Sequence, residues 1–363
     1  MSLVSRLAAL IAFDTQNPSG DERPLLDALG AELTALGAAR VVREDVGERR
    51  GFVYARFGQA APRLLLNAHV DTVPANGGYS APPHRMVQRD GRLFGLGTAD
   101  TKGAIAAILE ALEQTGAGRR PSPASVGVLF SGDEERGSAC MRAFLDSPHA
   151  HGLRQAIVCE PTGCRAGWRH RGIGAAEAVA TGPGGHSSLA DQMVNPTAVL
   201  ARAAVALDDL GRSYRQRGPE GFLGVCMNVA GLAGGIAFNV VPARATLTFS
   251  VRPPPGVAVA AVLGEAEACV RRAIAPADVT WTVVADRPSF QTRALDDFVP
   301  LVGARARQPI DLAFWTEAAL MSERGIDAVV FGPGDIAQAH AADEFVTVAD
   351  LETARAAFAD LLS

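Results

Sequence analysis

Five side chains able to ligate a divalent metal stand at the ends of apolar runs in this chain. His69 closes Leu64-Leu65-Leu66-Asn67-Ala68, and Asp100 follows Gly97-Thr98-Ala99. Glu135 ends Ser131-Gly132-Asp133-Glu134-Glu135, Glu160 follows Val158-Cys159, and His340 follows Gln338-Ala339. Carboxylates and imidazoles without thiolates suit Zn, Co or Mn. Five ligands are too many for one tetrahedral ion. They fit two ions sharing a bridging carboxylate, as in hydrolases that clamp a scissile group between metals roughly 3.5–4 Å apart. The residue types and their placement therefore point to a metallohydrolase.

Each position also has a plainer reading. His69 and Asp71 could be a surface pair in a loop, but a ligating His usually gives its second N–H to a carboxylate, and Asp71 offers one locally. Asp100 could be a helix N-cap. Its Gly-x-Gly-x-x-Asp context lacks the third glycine and the Lys-Ser/Thr ending of a phosphate loop, which argues against a nucleotide. Glu134 and Glu135 could form a solvated acidic turn. Adjacent carboxylates at a strand end repel unless a cation or proton separates them, however. One as ligand and one as general base is a natural division of labour. His84, His149 and His151 lie near prolines and are expected at the surface. His170 falls at a presumed hinge. His186 follows Gly182-Pro183-Gly184-Gly185, more glycine than a turn requires.

The elements that must position these groups follow from periodicity. Helical spacing marks residues 3–13 and 25–36, with Pro24 suited to a first turn. Residues 52–57 and 63–68 read as strands, 101–114 as a strong helix, 126–130 as a buried strand, 138–145 as a helix and 156–159 as another buried strand. This alternation indicates an α/β fold with a mixed sheet flanked by helices. The pattern then changes. A strand at 174–181 precedes a helix from Asn195 and Pro196 to about residue 210. Strands at 222–229 and 243–251 flank a Gly-rich turn, followed by a helix at 257–273 and a strand at 279–284. That βαββαβ order is the ferredoxin-like split motif. The α/β pattern resumes with a helix from the 290s to about residue 306, a strand at 328–331 and a helix at 349–362. A discontinuous catalytic domain, 1–167 with 285–363, is thus expected to host an inserted domain, 168–284. Each candidate ligand falls where a strand ends or a loop begins, and open α/β sheets bind ligands outside the carboxyl ends of their strands.

Composition narrows the class. With 363 residues, 48% hydrophobic and 20% charged, the chain has ample core material. A net charge of −5 with no basic run or nucleic-acid motif argues against DNA or RNA as a partner. No apolar run approaches the ~20 residues needed to span a bilayer, so no membrane association is expected. The opening residues read as a helix rather than a secretory signal. Five cysteines without a Cys-x-x-Cys pair suggest reduced thiols and a cytoplasmic protein.

Together these segments resemble the di-zinc aminoacylase and peptidase family, which includes acetylornithine deacetylase, succinyl-diaminopimelate desuccinylase and bacterial glutamate carboxypeptidases. The signature-like stretches are His69-Val70-Asp71-Thr72-Val73-Pro74 and Gly95-Leu96-Gly97-Thr98-Ala99-Asp100-Thr101-Lys102-Gly103. The likeness implies two divalent ions, Zn or Co. His69 and Glu160 would hold one, Glu135 and His340 the other, with Asp100 bridging. Glu134 would be the general base and Asp71 the residue orienting His69. It further implies a ferredoxin-like insert that serves as lid and homodimer interface. From there His186 would reach a neighbouring subunit's site and stabilise the oxyanion. Pro183 departs from the family, where a basic residue is common nearby.

Asn228, Gly234, Gly235, Asn239 and Arg252 match insert positions that line the substrate. Arg252 is suited to gripping a carboxylate. The stretch from Gly332 to His340, with Thr316-Glu317-Ala318 upstream, is similar to the acetylornithine and N-acetylcitrulline deacetylase branch, and Glu317 and Gly332 are taken with it as substrate-side positions. Desuccinylases usually carry a different stretch before the final His. The expected reaction is hydrolysis of an N-acetyl amino acid to acetate and free amino acid in arginine biosynthesis. A desuccinylase or peptidase of the same family is the alternative, followed by a scaffold without catalysis.

Overall fold

The computed structural model describes residues 1–116, 125–215, 217–219, 221–222, 224–303 and 308–363. It divides into two compact units. Unit 1 comprises Met1–Trp168, Thr292–Asp311 and Thr316–Ser363; unit 2 comprises Arg169–Gln291 and Leu312–Trp315.

Unit 1 begins with α1 (Leu3–Ile11), capped by the Ser2 hydroxyl, which accepts the amide of Ser5. Leu3, Leu7, Leu10 and Ile11 recur at helical spacing and are buried. In α2 (Arg23–Ala35) Pro24 occupies the first turn and Leu25, Leu26, Leu29 and Leu33 face inward. Next come β1 (Arg40–Asp45), β2 (Gly51–Phe57), β3 (Leu64–His69), β4 (Val87–Arg89) and β5 (Arg92–Phe94). Helix α3 (Lys102–Thr115) is buried almost all round and ends on left-handed Gly116, φ 62°. Then follow β6 (Val126–Ser131), buried at every residue, α4 (Ala139–Asp146), β7 (Gln155–Val158) and β8 (Gly167–His170).

Unit 2 holds β9 (Ile173–Thr181), the short β10 (Gly185–His186), α5 (Pro196–Tyr214), β11 (Cys226–Gly234), β12 (Val240–Val241), β13 (Arg244–Arg252), α6 (Val259–Ile274), β14 (Thr280–Arg287) and β15 (Phe290–Gln291). Its main sheet runs β11-β13-β9-β14, all antiparallel. In chain order that is 2-3-1-4 of a βαββαβ unit, the split arrangement. Leu200, Leu207, Val262, Leu263 and Val270 from α5 and α6 join Ala176, Ala178, Leu247 and Phe249 from the strands in one core. Asn195 caps α5 by accepting the amides of Thr197 and Ala198.

The remaining elements are α7 (Val299–Val302), β16 (Ile310–Leu312), α8 (Ala318–Glu323), β17 (Asp327–Val330), β18 (Phe345–Thr347) and α9 (Val348–Leu362). In unit 1 the sheet order is β1-β2-β6-β3-β7-β17. The strands from β6 to β17 are parallel, whereas β1 and β2 add antiparallel at one side, so the sheet is mixed. A small antiparallel sheet, β4-β5-β18, stands apart. Among the described residues no helix is long and apolar enough to cross a membrane.

Three local expectations are corrected. The helix expected from the 290s is absent; a 3-10 turn, Leu295–Phe298, and the single turn of α7 replace it, and residues 304–307 lie outside the described residues. Tertiary bonds fix the residues just before the 3-10 turn. Thr292 donates to the Trp168 carbonyl, and the Asp327 carboxylate accepts the amides of Arg293 and Ala294. The strand expected at 222–229 is shifted to Cys226–Gly234, because its register with β13 runs from Cys226 opposite Arg252 to Gly234 opposite Ala245. A bulge between Val229 and Gly231 lets this edge strand carry its glycines. His149 is not a surface residue: its side chain is 9% exposed and stacks on Tyr54 with ring centroids 5.5 Å apart.

Candidate metal centre

Parallel pairing places the first candidates. His69 lies opposite Ser131 in the β3–β6 register, so His69 and the Gly132–Glu135 turn leave the sheet at the same edge. On the other side of β3, Asn67 pairs with Val158, so Glu160 emerges there too. Asp100 arrives on the tight turn before α3. Gly97 in that turn has φ 82°, and a Cβ on it would come within 2.8 Å of Thr72 Cγ2, so only glycine fits. Asp100 is not the helix cap; Thr101 holds that position, and its hydroxyl donates to the His69 carbonyl. His340 comes from the loop before β18, in the left-handed region at φ 60°.

Asp100 addresses one imidazole with each oxygen. Oδ1 lies 2.8 Å from His69 Nε2 and Oδ2 lies 3.5 Å from His340 Nε2. His340 Nε2 is also 3.0 Å from Glu135 Oε1. Ligand atoms of His69, Asp100 and Glu135 all lie within 4.8 Å of one another. His69 Nδ1 is 3.0 Å from the Asp71 carbonyl oxygen and 3.4 Å from its Oδ1. The Asp71 carboxylate also accepts the backbone amides of Glu134 and Glu135 at 3.1 and 3.2 Å.

The charges are under strain of one sign. Burial, then the fields of nearby carboxylates, pushes Glu134 and Glu160 well above the ordinary carboxylate range, although His69 opposes this. Burial and Asp100 raise Glu135 as well. Burial alone would lower His69, but its bonds to Asp100 and Asp71 hold it well above the usual value. Bonds to Asp100 and Glu135 raise His340 to about 10. Burial opposes ionisation of Asp100, yet the two imidazoles keep it well below its usual range. Of the four carboxylates around the two imidazoles only Asp100, which meets both rings, is lowered, and such a crowd of carboxylates is the environment a divalent cation relieves. The oxygen and nitrogen donors suit Zn, Co or Mn. The residues present fit a metal centre.

The other positions fall as follows. Glu317 is 1% exposed and accepts the Ser131 hydroxyl at 2.8 Å, and burial raises it to about 7. Gly332 is buried, and a Cβ there would meet the Glu160 carbonyl oxygen at 2.7 Å, so the glycine lets the backbone close on Glu160. In unit 2, β10 and β12 bring His186 and Asn239 onto neighbouring segments, where Ser187 donates to the Asn239 carbonyl at 3.1 Å. His186 is exposed, and its Nδ1 accepts the amide of Ser188 at 3.2 Å. Gly234 ends β11 and Gly235 turns the chain at φ 86°. Asn228 on β11 and Arg252 at the end of β13 are exposed.

Sequence reasoning missed the groups that hold the Glu134–Glu135 turn. Asn17 Nδ2 donates to Asp71 Oδ2 at 3.2 Å and to Asp133 Oδ1 at 3.0 Å. Glu22, with no solvent exposure, accepts the amides of Asp133 and Gly51 and sits 3.4 Å from Arg50 Nε. The pair Asn17-Pro18 offered only a turn signal. Glu344 was missed as well, although it lies in the same polar loop as His340.

Comparison with known proteins places the chain in a family. The profile of peptidase family M20/M25/M40 matches residues 65–363. The N-acetyl-L-citrulline deacetylase of Xanthomonas campestris pv. campestris is 34% identical over 97% of this chain and 94% of its own length. The acetylornithine deacetylase of Myxococcus xanthus is 32% identical over 99% of this chain and 96% of its own. An M20 family metallo-carboxypeptidase from Sulfolobus solfataricus superposes with a TM-score of 0.80 over 100% of this chain and 98% of its own, at 17% identity, which shows a shared fold. With that profile covering most of its length and relatives above 30% identity spanning nearly all of it, the chain belongs to peptidase family M20/M25/M40.

Proposed function

We propose that this protein is a metal-dependent deacetylase that hydrolyses the amide of N-acetylcitrulline or N-acetylornithine in arginine biosynthesis, releasing acetate and the free amino acid. The observation that carries this reading is near-full-length similarity to two such deacetylases in a chain whose His69, Asp100 and Glu135 converge.

In this reading His69 and Glu160 would hold one divalent ion and Glu135 and His340 a second, with Asp100 serving both. Ions held there, Zn or Co, would polarise the acetyl carbonyl and lower the pKa of an attacking water toward ~7. Glu134 takes the proton of that water and returns it to the leaving α-amine as the C–N bond breaks. Asp71 fixes the ring of His69 and the amides behind Glu134. His186 donates to the developing oxyanion, which for one such donor is typically worth roughly 3–4 kcal/mol. Asn228, Asn239 and Arg252, with Glu317 and Gly332 from the catalytic segments, line the substrate.

We further read residues 168–284 as lid and dimerisation domain and 1–167 with 285–363 as catalytic domain. The protein would act as a cytoplasmic homodimer. Five cysteines without a Cys-x-x-Cys pair support a reducing compartment.

The test is hydrolysis of acetylcitrulline, acetylornithine and succinyl-diaminopimelate by enzyme stripped of metal and then reloaded with Zn or Co. The expected result is metal-dependent release of acetate, with kcat/KM for an acetylated substrate at least a hundredfold above that for the succinylated one. A preference for succinyl-diaminopimelate would move the protein to the desuccinylase branch.

A further inference from the structure

Glu344 has no solvent-facing role: it is 2% exposed and both carboxylate oxygens are consumed by backbone amides. Oε2 accepts Gly97 N–H at 2.7 Å; Oε1 accepts Ala99 N–H at 2.8 Å and Asp100 N–H at 3.0 Å. Its own carbonyl accepts Gly95 N–H at 3.0 Å. Three amides of one short turn thus converge on a single carboxyl group, a backbone nest filled by the chain's own side chain. That turn delivers Asp100, whose two oxygens must meet two imidazoles on opposite sides.

Glu344 also anchors the other partner of Asp100. It follows His340 by four residues and immediately precedes β18, whose Phe345 pairs with Phe94 of β5. Between them, the His340 carbonyl accepts Asn76 Nδ2 at 3.1 Å, and Asp343 Oδ1 accepts the Ser80 amide at 2.7 Å. Glu344 ties the His340 loop to the Asp100 turn through its carbonyl, which meets Gly95, and through its carboxylate, which alone meets Gly97, Ala99 and Asp100.

We propose that Glu344 is a positioning residue, which locks the turn bearing Asp100 to the loop bearing His340 through three amide hydrogen bonds and so sets the spacing of these two groups. The proposal rests on the reading of Asp100 and His340 as metal ligands. A neutral isostere shows why charge and acceptor count matter. Glutamine at 344 would fill the same space, but its NH2 would face at least one amide N–H, donor against donor. The turn must then shift, and a ligand set is intolerant of shifts of about half an ångström.

The experiment compares Glu344→Gln, Glu344→Asp and Val346→Ala with the parent. Val346 is 1% exposed in β18, the strand that follows Glu344, and pairs with Leu93, so its truncation weakens the strand while leaving the Glu344 carboxylate in place. Cobalt affinity of the apoenzyme is measured by competition with a chromogenic chelator and by the visible spectrum of the loaded protein. Glu344→Gln is expected to bind cobalt at least tenfold more weakly, within the roughly 10–100-fold seen when groups supporting a metal ligand are removed. Glu344→Asp, which keeps the charge but not the reach, should fall between, and it serves where the Gln variant does not fold. Val346→Ala should stay within twofold of the parent. Parent-like affinity in Glu344→Gln, or an equal loss in Val346→Ala, overturns the proposal.

A crystal structure of the metal-free Gln or Asp variant supplies an independent readout. Asp100 Oδ1 should move out of hydrogen-bond range of His69 Nε2, and its retention at 2.8 Å would overturn the proposal whatever the affinity. Should the parent itself take up no cobalt, the metal reading falls, while that crystal structure still decides the role of Glu344.

Discussion

The backbone amide of Glu134 donates to Asp71 Oδ1 at 3.1 Å, while the same carboxylate lies 3.4 Å from His69 Nδ1. One buried carboxylate therefore registers the proposed base against a proposed metal ligand on a neighbouring strand. Burial disfavours its charge, but the His69 bond and the Asn17 and Glu134 donors keep its pKa low. Asp71→Asn retains the volume and halves the acceptors. The expected result is a loss of metal affinity of roughly 10–100-fold together with a fall in kcat. Isothermal titration with Zn and steady-state kinetics check it; unchanged affinity would confine Asp71 to the Glu134 turn.

Glu134→Gln separates the base from the ligands. Glu134 is 8% exposed and contacts Asp71 through its backbone, which the substitution leaves intact. Both metals should remain, measured by elemental analysis, while kcat falls by roughly 10²–10⁴. Activity within tenfold of the parent would remove Glu134 from the role of base.

The proposed strand-end ligands are legible because local patterns carry them. His69, Glu135 and Glu160 each follow a short apolar run, and a buried parallel strand is what such a run makes. Asp100 was legible through the glycines that shape its turn. The groups holding these ligands in place were not, because their roles depend on contacts far apart in sequence. Glu22 meets the Asp133 amide across 111 residues, and Glu344 meets Gly97 across 247. Strand β1 was hidden for a different reason: its Arg-Val-Val-Arg-Glu-Asp residues are partly or fully exposed, so no alternation marks it. The three-residue strands β4, β5 and β18 are too short to show a period and exist by pairing with one another.

Glu22 gives the pH dependence a sign. Burial, then the charge of Asp71, raises its pKa from 4.5 to about 8. The folded state thus holds this proton more tightly than the unfolded chain. The stabilisation is full below pH 4.5 and is lost as pH rises through about 8. Glu22→Gln fixes a neutral side chain there. In metal-free protein, the unfolding temperature of the variant relative to the parent should rise between pH 4.5 and 8, equivalent to at least ~1 kcal/mol. Calorimetry at several pH values decides it; a constant difference would mean that Glu22 stays ionised throughout, held by Arg50 and its amide donors.

His186 is expected to serve the site of a partner subunit, since it lies in unit 2 whereas His69, Asp100, Glu134, Glu135, Glu160 and His340 all lie in unit 1. A two-fold dimer exchanges the same element in both directions, so the two roles can be separated by mixing variants. Glu134→Gln subunits lack the base, and His186→Ala subunits lack the donor; each homodimer should be nearly inactive. In a mixed dimer, one site would combine an intact Glu134 with the His186 contributed by the other chain, and the second site would lack both. Random exchange makes about half of all dimers mixed, so roughly a quarter of all sites should regain turnover in a symmetric dimer. If His186 served its own chain, each site would still lack one of the two groups and mixing would restore nothing. Subunit exchange is verified by mass spectrometry of differently tagged chains. Exchange without recovered activity rejects the trans arrangement and leaves the reading of the metal centre intact.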